Sequence, residues 1–417
     1  MRVTRRFVAA AGGVSLLTGC MTGGLSASSG GGGASAADPA LRPQKNAGYD
    51  AWVLAFRPRA EARGISQATF NRAFRSAGFL PGVIERDRNQ TEFKRSFEDY
   101  MAIMAGDEKV ATGRREFAAR RKLLGEIEAR YGVPAEIVAA IWGVESRFGA
   151  RRGDIPVISA TSTLAYEGRR GVFFEKQLIA ALKIIQRGDV SAEQMTGSWA
   201  GAMGHTQFIP TTFEAYAVDF RGEGRRDIWG DDPTDALASA AAYLARSGWR
   251  KGQLWGLEVR VPSGFNAGLA GRGTKKSVAD WAALGVVPIS GGRLPDHGAG
   301  SILLPMGASG PAFLVFRNFS VILRYNNSEN YALGVGHLAD RLRGAGPLRG
   351  RFPPDEFGFS IDERKRLQAR LTAAGYDTGG ADGVFGKKTE NAIRAYQKAN
   401  GLAVTGEPSQ ALLRRLG

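Results

Sequence analysis

The run from Pro134 to Gly149 constrains this chain most, because it reads as a buried helix that carries a carboxylate on its apolar side. Pro134 suits a first helical position and Gly149 a C-terminal stop, while Ile137, Val138, Ile141, Trp142 and Phe148 recur at helical spacing. Glu145 lies four residues after Ile141 and three after Trp142, on the same face. Apolar and indole neighbours penalise an ionised carboxyl, and the negative end of the helix dipole does the same. Both effects favour a protonated acid near neutral pH. A glutamate that snorkels out to water would show the same spacing, so the spacing leaves both readings open.

A chain of 417 residues has room for two or three domains. No uninterrupted apolar run is long enough to span a bilayer. The net charge of +16 suits a polyanionic partner, but the arginines are dispersed and no basic-aromatic motif or zinc-finger spacing accompanies them. Nucleic acid is therefore a poor candidate. The single cysteine, Cys20, excludes an internal disulfide. It ends a segment with a basic start, a short apolar stretch and small residues, which predicts a secretory signal over 1–20. Leu17 to Cys20 resembles the bacterial lipobox, which implies lipidation of Cys20. Met21 after it resembles sorting to the outer membrane, and Arg5 and Arg6 also hint at twin-arginine export.

Residues 21–47 are rich in Gly, Ser and Ala and predict a flexible tether. Helical spacing then predominates from 48 to about 250, including a charged helix over 114–130 and helices over 177–187, 211–220 and 235–247. Between 255 and 325 the period switches. Leu257 to Val261, Ser301 to Leu304 and Ala312 to Tyr325 are rich in β-branched and aromatic residues, which predicts a small β-sheet inserted in a helical domain. Helix returns over 330–343, and the Gly- and Pro-rich stretch 346–358 reads as a stiff linker. Residues 359–417 form a separate three-helix module around a turn-rich loop at Gly379 to Gly386.

Triad and zinc chemistry are poorly supported: there is no nucleophile-elbow serine, no His-Glu-x-x-His, and only three histidines. The segment Gly383 to Thr389 fails as a phosphate loop, because Ala381 replaces the first glycine and Lys388 stands where Ser or Thr is needed. Acid catalysis by a carboxyl remains. Ser198 to Pro210 alternates small and aromatic residues, so its backbone can approach a ligand while Ser198 and Gln207 orient hydroxyls and Trp199 or Phe208 stack. A tight packing loop would look the same. Arg324 to Tyr331 places a dense polar cluster at the end of the longest β segment, suited to a binding surface or to a helix cap.

Taken in order, Gly143 to Gly149, Ser198 to Pro210 and Arg324 to Ala332 resemble the signature segments of the membrane-bound lytic murein transglycosylase B family, glycoside hydrolase family 103. The C-terminal module is similar to a small peptidoglycan-binding domain, matched at Asp382 to Gly386, Thr389 and Ala395 to Gln397. The resemblance implies a mainly α (α+β) protein: a lysozyme-like helical catalytic domain over 48–345 with a small inserted β-sheet, plus the three-helix module. It also implies cleavage of the β-1,4 bond between N-acetylmuramic acid and N-acetylglucosamine with a 1,6-anhydromuramyl product. In that scheme Glu145 is the single acid and base, and Ser198 and Asn326 position it or the sugar. Gln207, Tyr325, Tyr331 and Tyr243 line the groove, and Arg169 and Arg170 face substrate carboxylates.

The alternatives are a lysozyme-type muramidase, which needs a second carboxylate such as Asp154, Glu167 or Glu175, and a non-catalytic wall-binding lipoprotein. The stretch Asp219 to Asp235 aligns with a calcium loop of some members. Here Arg221 and Arg225 occupy ligand places, so no metal or other cofactor is expected and the arginines would pair with the loop carboxylates. The expected partners are glycan strands and, through Cys20, a membrane. The chain is expected to act as a monomer in the periplasm, anchored to the outer membrane.

Overall fold

The computed structural model describes residues 38–89 and 96–417. Cys20, the signal segment and most of the expected tether lie outside the described residues. The tether gives way by Asp38, which caps the short turn Pro39–Leu41 and pairs with Arg86 at 2.9 Å. Among the described residues no helix is long and apolar enough to cross a membrane.

The helix Ala135–Ser146 forms the axis of the main core, and it is buried on nearly every side rather than along one face. Its alanines and Gly143 let neighbours approach. Helices Glu329–Arg343, Thr234–Arg246, Asp107–Ala119 and Arg121–Tyr131 all pack against it. The expected stop at Gly149 comes three residues earlier, and Pro134 is the N-cap rather than the first helical residue. Arg147, Phe148 and Gly149 are all left-handed, with φ of 52°, 56° and 86°. For the two non-glycine residues this costs about 1–2 kcal/mol each. The tight reversal folds the Phe148 ring back beneath Gly143, where a Cβ would stand 2.3 Å from the ring. The same ring fills the space above Gly113 on the neighbouring helix, at 2.6 Å from a built Cβ.

A second layer joins helices Val157–Glu167 and Gly171–Arg187 to the N-terminal helices Ala47–Glu61, Gln67–Phe74 and Pro81–Arg88 around Phe56, Phe70 and Leu178. The inserted sheet has four antiparallel strands in the order Val287–Pro288, Gly256–Arg260, Ala312–Val315, Ser301–Leu303. Strand Ala312–Val315 is buried on both faces. Phe313 and Val315 join the main core, while Ala312 and Leu314 join a smaller core around Trp281.

Three expectations about element bounds need correction. The long β segment ends at Val315, and Arg317–Tyr325 is a helix. Its exposed Arg317, Ser320 and Arg324 and buried Phe319, Ile322 and Leu323 follow the helical period, which the β-branched composition obscured. The charged helix of 114–130 is two helices, broken at Arg120, and the helix expected through Phe220 ends at Tyr216.

The C-terminal helices Ile361–Ala373, Lys387–Ala399 and Gln410–Arg415 enclose a core of Phe359, Leu367, Ile393 and Tyr396. Gln368 braces the turn-rich loop by accepting from Gly383 N at 2.7 Å and donating to Asp382 at 3.1 Å. Arg364, buried on the first of these helices, pairs with Glu98 and, at 2.5 Å, with Asp99, both on the distant helix Phe97–Ala105. The stretch between is also pinned, because Glu258 accepts from Arg349 N and Gly350 N.

Gly143→Ala is expected to lower stability by about 1–3 kcal/mol, since the added methyl must displace the Phe148 ring from a site with no free volume. Urea unfolding of the two proteins measures it; equal midpoints would contradict the role given to this close approach.

Candidate active site

Glu145 sits in the last turn of the central helix, where the left-handed reversal opens the backbone and leaves its carboxyl part-exposed. Tyr331, capped into its helix by Ser328, donates its hydroxyl to Glu145 Oε1 at 2.6 Å. Burial is the largest influence on this carboxyl and pushes its pKa up to about 7, against the hydrogen bond from Tyr331 and the charge of Lys109, which both pull it down. Tyr331 is held well above its ordinary range by burial and then by Glu145, so it stays a donor. Lys109, on helix Asp107–Ala119, is lowered to about 8 by burial and by Arg147. Sequence reading missed Lys109, because nothing local on its helix distinguishes it from a solvated lysine.

The loop from Ser198 to Pro210 is locked onto the same helix. Trp142 Nε1 donates to His205 Nδ1 at 3.1 Å, and Ser146 Oγ donates to His205 O at 2.6 Å. Burial keeps His205 below its ordinary pKa, and its other ring nitrogen faces Gly230 O at 2.7 Å. At Gly204 any Cβ would collide with Ile228 O. Gln207 therefore follows at a left-handed φ of 51°, its amide donating to Arg152 O and Gly204 O at 2.9 and 2.8 Å.

The other wall is the C-terminal end of helix Arg317–Tyr325. Tyr325 donates to Thr206 O at 2.6 Å, and Tyr243 donates to Arg324 O at 2.5 Å, with the two rings edge to face at 5.3 Å. Burial raises both phenols, Tyr243 to about 12 and Tyr325 well above its ordinary range. The result is a cavity of about 130 Å³ lined by Glu145, Gln207, Phe208, Tyr243, Tyr325 and Asn326, among others. Glu145 is the one carboxylate in that lining.

The structure thus brings together Glu145, Gln207, Tyr243, Tyr325, Asn326 and Tyr331. Ser198, Arg169 and Arg170 stand apart from the cavity. Ser198 Oγ accepts from Ala202 N at 3.0 Å and braces its own loop. Arg169 is committed to the buried Asp87 at 2.5 Å, and Arg170 lies over the rings of Phe173 and Phe174. Asn326 stands at a helix end rather than a strand end, its side chain accepting from Ser328 N at 3.1 Å.

In the loop Asp219 to Asp235, Arg221 and Arg225 stand at places where a calcium loop needs oxygen ligands. Asp219 accepts from the backbone of Gly222, Glu223 and Gly224, and Asp235 from that of Phe220 and Asp227. Backbone amides, not the arginines, satisfy these carboxylates: Arg221 pairs with Glu126 and Arg225 with Asp227. Among the described residues no cluster of three acidic, His or Cys side chains is placed to hold a metal.

A helical lysozyme-like fold with one buried acid in a tyrosine-lined cleft defines the class of the protein. The Transglycosylase SLT domain family model matches residues 48–340, and a peptidoglycan binding domain model matches 360–416. The chain belongs to the transglycosylase SLT domain family. It is 36% identical over 219 residues to membrane-bound lytic murein transglycosylase B of Escherichia coli (strain K12), an alignment covering 51% of this chain and 58% of that relative. The structure of SltB3 from Pseudomonas aeruginosa in complex with NAG-NAM-pentapeptide is 49% identical. It matches with a TM-score of 0.72 over 89% of this chain and 100% of that one. Slt35 of Escherichia coli, solved in complex with calcium, is 29% identical, with a TM-score of 0.60 over 72% of this chain and 93% of its own.

Tyr331→Phe removes a bond that favours the ionised carboxyl, so the pKa of Glu145 is expected to rise from about 7 by about one pH unit. A carboxyl-carbon NMR titration reads it, and an unchanged or lower midpoint would refute the assignment. Millimolar calcium is expected to leave the melting temperature of the full chain unchanged, because Arg221 and Arg225 take the places of oxygen ligands in the loop.

Proposed function

We propose that the protein is a lytic transglycosylase that cleaves the β-1,4 bond between N-acetylmuramic acid and N-acetylglucosamine in peptidoglycan and leaves a 1,6-anhydromuramyl end. The observation that carries this reading is the solitary carboxyl of the cleft, raised to about 7 and gripped by Tyr331. Near neutral pH such a group is present in both protonation states, as a residue that must act first as an acid and then as a base requires.

Protonated Glu145 gives its proton to the oxygen leaving with N-acetylglucosamine, while the muramyl acetamido group stabilises the cationic C1 from within the substrate. The carboxylate then formed is held by Tyr331 and stabilised by Lys109. It takes the proton from the muramyl C6 hydroxyl as that oxygen bonds to C1, and the 1,6-anhydro ring closes. Atoms balance without water. Gln207, Asn326, Tyr325 and Tyr243 form the walls against which the sugars seat, and Ser198 supports that wall through its own loop.

A lysozyme-type hydrolase would need a second carboxylate beside the bond. Glu167 is paired with Arg88 and Glu175 with Arg59, and neither they nor Asp154 line the cavity. A purely binding protein would have no use for a carboxyl held at this cost. The resemblance of the C-terminal module supports a second hold on the wall, with 21–47 and 346–358 as connecting segments. Lipidation of Cys20, attachment to the outer membrane from the periplasmic side and a monomeric state complete the proposal.

Glu145→Gln is expected to keep glycan binding and lose cleavage by about a thousandfold or more. Purified peptidoglycan treated with each protein is examined for chain ends by mass spectrometry. Anhydro ends from the wild type alone support the reading; reducing ends, or cleavage by the variant at the native rate, would sink it.

A further inference from the structure

A second and larger cavity, about 350 Å³, lies along the same helix that ends in the cleft. Its lining includes Arg250, Arg272, Lys275, Arg317 and Arg324, with His297 at one side, and it contains no carboxylate. Elsewhere in the described chain many arginines answer an acid, as Arg169 does Asp87 and Arg226 does Asp189. In this cavity only Arg272 does so, through Glu329 at 2.6 Å. All five cations are exposed. No side chain caps the N-terminus of helix Arg317–Tyr325, which opens on the cavity through Phe316 and Arg317, so its first amide groups add to the positive potential.

Arg324 lines both cavities. The helix therefore works as a ruler: the cleft lies at its C-terminal end, and the cationic cavity runs back to its N-terminus. Nine residues of helix span roughly 13 Å, which four residues of extended peptide, at roughly 3.4 Å each, also span. The muramyl sugar seated beside Glu145 carries a peptide on its lactyl group, and that peptide bears free carboxylates.

We propose that this cavity binds the carboxylates of the stem peptide on the muramyl residue being cleaved, an inference that rests on the function proposed above. The sugar enters the cleft, its peptide passes Arg324, and its carboxylates meet Arg250, Lys275 and Arg317 beside the sheet. Arginine presents a planar fork suited to a carboxylate, and with only Arg272 answered by an acid the other four cations are left to an anion from outside. Stem-bearing strands are thereby selected over bare ones through KM.

The test uses the full chain and two substrates, intact peptidoglycan and the same material stripped of stem peptides by an amidase. The double variant Arg250→Gln/Lys275→Gln is compared with the wild type, with melting temperatures confirming that both are folded. The ratio of kcat/KM on intact to stripped glycan is expected to fall about tenfold, through KM, and to lose part of its dependence on salt. An unchanged ratio overturns the proposal, as does an equal loss on both substrates. Loss of sedimentation with phosphatidylglycerol vesicles at an unchanged ratio would overturn it in favour of a membrane surface. If the wild type forms anhydro ends from neither substrate, the underlying function fails and this assignment falls with it.

Discussion

A carboxyl kept where burial favours its neutral form is the constraint around which the rest of the structure is arranged. Glu145 sits at the end of a helix buried on nearly every side, so burial dominates its environment even where it reaches the cleft, and only Tyr331 and Lys109 oppose that effect. Each is supplied by a different helix, one upstream and one far downstream in sequence. The left-handed reversal at Arg147 and Phe148 provides the opening, and the strain of two non-glycine residues in that region is offset by the Phe148 ring wedged between Gly143 and Gly113. Strain at the mouth of the cleft and close packing behind it are therefore two aspects of one arrangement.

Much of this was legible in the sequence because it is local. Glu145 among apolar helical positions offered a carboxyl that burial would raise, against a glutamate reaching water, and the glycines around Gln207 offered a close backbone approach, against a packing loop. What was illegible is what depends on distant partners. Ser198 and Arg169 matched a pattern of residue types, but the Ser198 hydroxyl accepts from the backbone of its own loop, and an arginine beside the buried Asp87 pairs with it. Lys109 gave no sign at all. The helix Arg317–Tyr325 was misread because Phe, Val and Ile serve equally in strands and buried helix faces; the exposed Arg317, Ser320 and Arg324 held the better clue.

The high positive charge also takes on a structure that composition alone could not give. Some of the arginines along the described chain are spent on internal pairing: with Asp87 near the second layer, with Asp189 beside Phe213, with Glu126 and Asp227 near the 219–235 loop. Such pairs are exposed to varying degrees and those at the surface add little stability. The cations lining the second cavity differ in standing together on one face with a single acid, Glu329, paired to one of them.

The anchoring of Arg364 by Glu98 and Asp99, with Arg349 and Gly350 held by Glu258, bears on how two grips on a polymer combine. On a loose tether, the second grip would search a volume fixed by chain length, and almost any nearby strand would satisfy it. Fastened through a buried guanidinium, the C-terminal helices keep one separation and one angle from the cleft. Joint engagement then depends on the mesh rather than on the protein: it happens where the lattice presents strand to strand at that spacing, and a stretched or thinned wall alters it with no change in the protein itself.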